Sequence, residues 1–309
     1  MLDSFPAKTE HNEHVHAYPV GADGNVPPTQ GMVVKNTPAS PRSGIALDAA
    51  RNLYIANPAA NSVSVYAAGS TGFANPQRTI KGRRTGLDAP AALAVDADGD
   101  VYVANEAGES VTVYGPTAAG DAAPVQSISG SSTGLSNPQS IAVDVSGNIY
   151  VLGITDLCNV TCGSVTVFAA GSNGNVAPIR TITGSNTGMN GPLTPEGLAL
   201  DTGGNVYVLS DACCFGDPAP TVTTYAAGSN GNVAPIATLT GVYTKMQTVT
   251  SVALDAAANI YVANQNLNDP YCRGTVTVYP ADSNGDVSPT QIISGGKTQL
   301  CAPIGIAVR

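Results

Sequence analysis

Residues 138–153 read PQSIAVDVSGNIYVLG and residues 195–210 read PEGLALDTGGNVYVLS. Each is two runs of alternating β-branched, aliphatic and aromatic residues joined by a D-x-x-G-N turn, which is the chemistry of a tight hairpin. A third run of the type S-V-T-V-Y follows, and then A-A-G-S-N-G-N-V-A-P leads into a fourth, I-x-T-I-T-G. Nothing in the chain has helical periodicity. The pattern recurs along all 309 residues.

Three landmarks set its register. An Asp closes the first run at Asp48, Asp96, Asp144, Asp201 and Asp255, with Arg309 in the sixth place. An aromatic closes the third run at Tyr18, Tyr66, Tyr114, Phe168, Tyr225 and Tyr279. A proline opens the fourth at Pro28, Pro76, Pro124, Pro178, Pro235 and Pro289. From Asp to the second-run Tyr is always 6 residues, and from aromatic to Pro always 10. From Asp to aromatic is 18 in two repeats and 24 in the next three. From Pro to the next Asp is 20, except 23 between Pro178 and Asp201. Six 48-residue repeats with three six-residue insertions and one of three account for the whole length.

Four short antiparallel strands per repeat, stacked radially, predict an all-β, six-bladed β-propeller in a single domain. The blades fall at approximately 41–82, 90–130, 138–184, 195–241, 249–295, and 303–309 plus 1–34, so the last blade combines strands from both ends of the chain. Its inner strand is expected over 304–309, its third over 15–18 and its fourth over 30–34. Residues 4–9 take the second-strand place, with Pro6 where the others have Tyr, so that strand is expected to be ragged or absent. Two small positions mark every inner strand, such as Gly44 and Ala46 or Ser140 and Ala142, leaving room for neighbouring blades to interdigitate.

All the length variation falls in the 2–3 and 4–1 connections, which lie on one face. All six cysteines lie there too: Cys158, Cys162, Cys213, Cys214, Cys272 and Cys301. Disulfides are expected, with Cys272–Cys301 and Cys158–Cys162 the favoured pairs, and Cys213 and Cys214 either vicinal or reaching the third blade. A zinc or redox site is the other reading, but there is no C-x-x-C and no nearby His. Binding residues tend to sit on loops carried by a rigid scaffold. The candidates for ligand contact are therefore Asp156, Asp211, Phe215, Asp217, Asp269, Tyr271 and Arg273.

Glu196 is the one carboxylate where an inner strand leaves that face; the equivalent places hold Ser43, Ala91, Gln139, Thr250 and Ile304. With Asn57, Asn105 and Asn264 at second-strand ends it makes a thin candidate site for a divalent metal, calcium or zinc, since hard cations want several oxygens. Otherwise those asparagines are turn formers. His14 and His16, with His11 or Glu13, are a second metal candidate or plain strand polarity. Asp282 to Asp286 (D-S-N-G-D) reads as a turn rather than a calcium loop. No nucleophile motif or phosphate loop is present, and the lack of Trp disfavours stacked sugars.

The net charge of −9 argues against nucleic acid and anionic membranes. No apolar run reaches transmembrane length, and MLDSFPAKTE has no signal-peptide core. The cysteines favour an oxidising compartment. An exported protein, extracellular, periplasmic or at the cell surface, is expected without its targeting segment, with a cytosolic thiol protein as the alternative. A monomer is expected.

The repeats quoted above resemble those of NHL-repeat propellers, within the TolB-like and gluconolactonase-like propeller superfamily. The resemblance spans nearly the whole chain. It implies a binding or interaction module, a gluconolactonase-like metal-dependent hydrolase, or a lyase. In the hydrolases acidic and Asn residues hold a metal at the channel mouth, so only Glu196 and the three asparagines carry over. The lyases use a channel histidine, which this chain lacks outside its N-terminus. A non-catalytic module binding protein, peptide or glycan on the loop-rich face is the leading expectation, with the hydrolase or lyase as alternative.

Overall fold

The structure, a computed structural model, describes residues 2–4, 13–34, 44–157, 160–212, 218–266 and 273–308. Six antiparallel sheets stand in sequence order around a ring. Blade one has strands Ile45–Leu47, Leu53–Asn57, Ser62–Tyr66 and Arg78–Lys81. Blade three has Pro138–Val143, Ile149–Leu157, Val160–Phe168 and Arg180–Ile182. Among the described residues the only helical turns are 3-10, at Pro58–Ala60 and Val242–Thr244, and no helix is long and apolar enough to cross a membrane.

The constant six-residue spacing has a physical cause. In blade one the Asp48 carboxylate accepts from the Asn52 backbone (2.8 Å), the Asn52 amide (2.7 Å) and the Tyr54 hydroxyl (3.3 Å). The same Asp–Tyr bond recurs in blades two to five. Burial alone would raise the Asp48 carboxyl, but the Asn52 and Tyr54 hydrogen bonds outweigh it and hold the group below its ordinary value. The hairpin is thus locked at its turn and at its second strand together.

The small residues bring inner strands close around the central channel. A Cβ at Gly44 would lie 2.5 Å from the Ala92 Cα of the next blade. Ser140 accepts from the Leu198 N–H and Ser251 from the Ile306 N–H, so small polar side chains also bridge blades.

Blades are joined by a second device. The glycine of each 3–4 turn forms a parallel bridge to the outer strand of the preceding blade: Gly120 to Ile80, Gly174 to Ile128, Gly231 to Ile182, Gly285 to Leu239 and Gly24 to Ile293. The residues flanking that glycine complete the clasp. Asn230 accepts from the Thr181 N–H (2.9 Å) and Asn232 from the Asn186 N–H (2.7 Å). Asp286 accepts from the Tyr243 N–H at 2.7 Å, so the D-S-N-G-D segment spends that carboxylate on a clasp. At the seam from blade six to blade one Thr71 and Phe73 hold the flanking places, and Gly72–Phe73 pairs in parallel with Met32–Val33.

One apolar cluster fills each of the six seams. Among the described residues four hold 10 or 11 buried residues, and the two flanking blade six hold 5 each. Blade six is built differently from the expectation. Its sheet runs Pro303–Gly305, Leu2–Ser4, Glu13–Ala17, Gln30–Val34. The inner strand is three residues, and 306–308 carry no strand. The strand described between it and the third strand is Leu2–Ser4, in which Leu2 pairs with Val15 and Gly305 and the register shifts at Asp3, while residues 5–9 lie outside the described residues.

Candidate functional site

The channel mouth is formed by a ring of β-bulges. In blades two to five the residue before the small position has no partner in the ladder, which puts Ala91, Gln139, Glu196 and Thr250 at equivalent bulges. Bulges re-aim side chains, and these four with Ile304 line a narrow channel cavity of about 100 Å³. Among the described residues Glu196 is the only carboxylate on its wall, and it is half-buried. Gln139 is buried and donates to the Asn137 side chain (2.6 Å), and Thr250 donates to the Pro303 carbonyl (2.8 Å).

Asn57, Asn105 and Asn264 are buried, and each amide turns along its own blade. The Asn105 Oδ1 accepts from the Asp88 N–H (3.1 Å) while Nδ2 donates to Thr112 Oγ1 (3.1 Å). Asn264 repeats this with the Gln247 N–H and Thr277, and Asn57 donates to Ser64. Asn105 and Asn264 thereby tie the 4–1 connection to the second and third strands, and Asn57 ties the second strand to the third. Among the described residues no group of three His, Cys, Asp or Glu is spaced to hold a metal. His14 and His16 stack with ring centroids 6.0 Å apart, and His11 lies outside the described residues. Burial, with the neighbouring His14, pushes His16 down to about 4.

On the loop-rich face the third blade rises as a ribbon. Its second and third strands continue to nine residues each and pair from Ile149↔Phe168 out to Leu157↔Val160. The three-residue insertion before blade four forms a short strand, Asn190–Gly191, which pairs with Thr161 and Cys162 of that ribbon. The Gly163 N–H donates to the Met189 carbonyl (3.0 Å). A Cβ at Gly163 would meet Pro195 Cγ at 2.6 Å, so glycine permits the contact. Blade four extends alongside, with Leu193–Leu200 paired to Val206–Ala212 and Thr194 opposite Asp211.

Of the contact candidates, Asp156 lies on the ribbon opposite Thr161, Asp211 is half-buried on the blade-four extension, and Arg273 is exposed beside blade five. Phe215, Asp217, Asp269 and Tyr271 lie outside the described residues, as do Cys158, Cys213, Cys214 and Cys272. Cys301 is buried and disulfide-bonded. Cys162 is half-buried at the ribbon's junction with Asn190. Sequence reasoning missed this junction; its only trace was the extra spacing between Pro178 and Asp201.

No protein-family model matches the chain, and no curated protein matches it in sequence. Solved structures match its fold. The periplasmic gluconolactonase PpgL of Pseudomonas aeruginosa is 15% identical at a TM-score of 0.58, over 94% of this chain and 80% of that one. The PQQ-bound aldose sugar dehydrogenase of Streptomyces coelicolor is 14% identical at 0.54, over 98% and 90%. The gluconolactonase XC5397 of Xanthomonas campestris is 13% identical at 0.50, over 96% and 92%. At such identities the likeness is one of fold. The chain is a six-bladed β-propeller, the fold it shares with these neighbours.

Proposed function

We propose that the protein is an exported, non-catalytic binding module that holds a protein, peptide or glycan against the raised wall of blades three and four. The observation that carries this reading is the registered pairing of Asn190–Gly191 with the ribbon, which makes two separate insertions one rigid surface. Asp156 and Asp211 stand on that surface, and Arg273 belongs to the neighbouring blade. Export is supported by the disulfide at Cys301 and by the periplasmic gluconolactonase among the fold neighbours.

The second reading is a lactonase-like hydrolase using calcium or zinc. Likeness of fold to two gluconolactonases and the place of Glu196 at the channel mouth favour it. Against it, the side-chain oxygens of Asn105 and Asn264 already accept from the Asp88 and Gln247 N–H groups, and all three amides donate to hydroxyls, so a cation at Glu196 would compete for its other protein oxygens. Elemental analysis of protein purified without chelator, with a lactone panel, separates the two. No stoichiometric metal and no turnover are expected. A divalent ion lost in Glu196→Ala, with lactone hydrolysis lost alongside, would overturn the binding reading. Peptide and glycan arrays give the positive arm: a hit should be lost in Gly163→Val, which displaces the ribbon from Pro195.

A further inference from the structure

Four Asn–Gly pairs occur in the chain, at 173–174, 190–191, 230–231 and 284–285. Asn–Gly is the dipeptide that loses ammonia most readily, because no side chain screens the glycine nitrogen from the asparagine amide. Three of the four belong to the clasps: Asn173, Asn230 and Asn284 are exposed, each in a 3–4 turn. The clasp asparagines two places on, Asn175 and Asn232, precede valine, whose branched side chain hinders the same reaction.

One residue of the preceding blade grips both reacting groups. The Ser127 N–H donates to Asn173 Oδ1 at 2.9 Å, and its carbonyl accepts from the Gly174 N–H at 2.7 Å. Thr181 holds Asn230 and Gly231 at 2.9 and 2.7 Å, and Thr238 holds Asn284 and Gly285 at 2.9 and 2.8 Å. Ring closure needs the glycine N–H to lose its proton and the asparagine Cγ to swing onto that nitrogen. The hydrogen bond retains the proton and the grip on Oδ1 fixes Cγ, so a closed seam blocks both. Asn190 has no such grip, since its Oδ1 is buried and accepts no hydrogen bond. Blade six carries an aspartate in the same clasp place. Asp23 accepts from the Ile292 N–H (2.8 Å) while Gly24 donates to the Ile292 carbonyl (2.8 Å), so the clasp accommodates a carboxylate.

We propose that Asn173, Asn230 and Asn284 are self-modification sites that deamidate when their seam opens. The glycine nitrogen, deprotonated by solvent, forms a bond to Cγ and ammonia leaves, giving a succinimide. Water then opens either carbonyl, to aspartate or to isoaspartate; the sum is amide plus water to carboxylic acid plus ammonia. Aspartate keeps the acceptor, and the clasp closes again with one more negative charge on the turn. Isoaspartate routes the main chain through the side chain and adds a methylene before the glycine, so the glycine bridge cannot re-form in register. Each seam thus converts a transient opening into a permanent change of charge or of closure. This holds whatever the loop-rich face binds.

Peptide mapping by mass spectrometry, after incubation at mildly alkaline pH, reads each site separately. The reference is the peptide Ala-Gly-Ser-Asn-Gly-Asn-Val-Ala-Pro, which is the sequence of both 170–178 and 227–235. Two hydrogen bonds of ordinary net worth should make Asn173 and Asn230 react about thirtyfold more slowly in the folded protein than in the peptide. Asn232→Ala frees the Asn186 N–H at one seam only. Corrected by the same substitution in the peptide, it should quicken Asn230 about fivefold and leave Asn173, Asn190 and Asn284 unchanged. Asn230→Asp should unfold at the parent's Tm, while isoaspartate-bearing protein separated after long incubation should melt lower. Equal rates in protein and peptide, no quickening of Asn230 in Asn232→Ala, or equal quickening at all four sites each overturns the gate. A lowered Tm for Asn230→Asp overturns the reading of the product.

Discussion

Blade three contains a natural deletion of one hydroxyl, and the neighbouring blades say what it is worth. In blade four the Tyr225 side chain is fully buried. Its hydroxyl donates to the Thr187 carbonyl at 2.5 Å and accepts from Thr223 at 3.2 Å. Tyr114, Tyr279 and Tyr18 make the same bond to Thr85, Thr244 and Thr298. Each carbonyl belongs to the turn that also receives the next blade's clasp. In blade three the place is Phe168, and Thr133 is the corresponding turn residue. Tyr225→Phe should cost about 1–3 kcal/mol, because a buried carbonyl loses its donor. Phe168→Tyr should return about 0.5–1.5 kcal/mol, the net worth of one hydrogen bond. At about 2.1 cal/mol/K per residue, a chain of 309 residues shifts by about 1.5 °C per kcal/mol. The expected changes are therefore a fall of roughly 2–5 °C and a rise of roughly 1–2 °C. Scanning calorimetry reads both, and urea titration should show altered midpoints at constant m. If Tyr225→Phe is neutral, or Phe168→Tyr destabilises by more than about 1 kcal/mol, the bond is not what sets this position.

The clasps predict a local effect: Asn232→Ala removes the acceptor of the Asn186 N–H, and hydrogen exchange of that amide should quicken by about fivefold, for a bond of about 1 kcal/mol. An unchanged rate would mean that the Gly231 bridge alone holds the seam. Stability should also fall at both ends of the pH scale. Burial places His16 at about 4, below its unfolded value, so its contribution is present above about pH 6.5 and is lost as pH falls toward 4; His16→Asn should flatten that limb. Burial raises Tyr114, Tyr225 and Tyr279 to about 12, so their contribution is complete below about pH 10 and is lost as pH rises through 12.

What the sequence made legible was whatever a repeat does to itself. The Asp–Tyr spacing is a bond within one hairpin, and it repeats without drift because changing it would break that bond. Contacts between repeats were harder to read. S-N-G-N is a sound turn sequence, so the turn explained it and hid the clasp, whose partners lie 43 to 49 residues earlier, about one repeat away. A turn needs its glycine but not an acceptor on both sides of it, and that surplus was the available signal. Asn57, Asn105 and Asn264 were partly hidden the same way: a strand-end Asn suits a turn or a cation, and only the strand pairing shows hydroxyls at Ser64, Thr112 and Thr277 facing them. Blade six was placed by counting straight from Arg309 to Met1. The pairing departs from that count, seating Leu2 opposite Val15.

The two insertions around blade three bear on whether the loop-rich face is built or merely unconstrained. Drifting surface loops would lengthen independently, and each would have to satisfy its own backbone. Here the ribbon's added residues present Thr161 and Cys162 as an edge, and the separate three-residue insertion supplies Asn190 and Gly191 to cover it. Neither works alone: without the short strand the ribbon edge is open, and without Gly163 the two cannot approach past Pro195. Exposed edges invite unwanted pairing, so covering this one keeps the wall a side-chain surface rather than a strand-pairing surface.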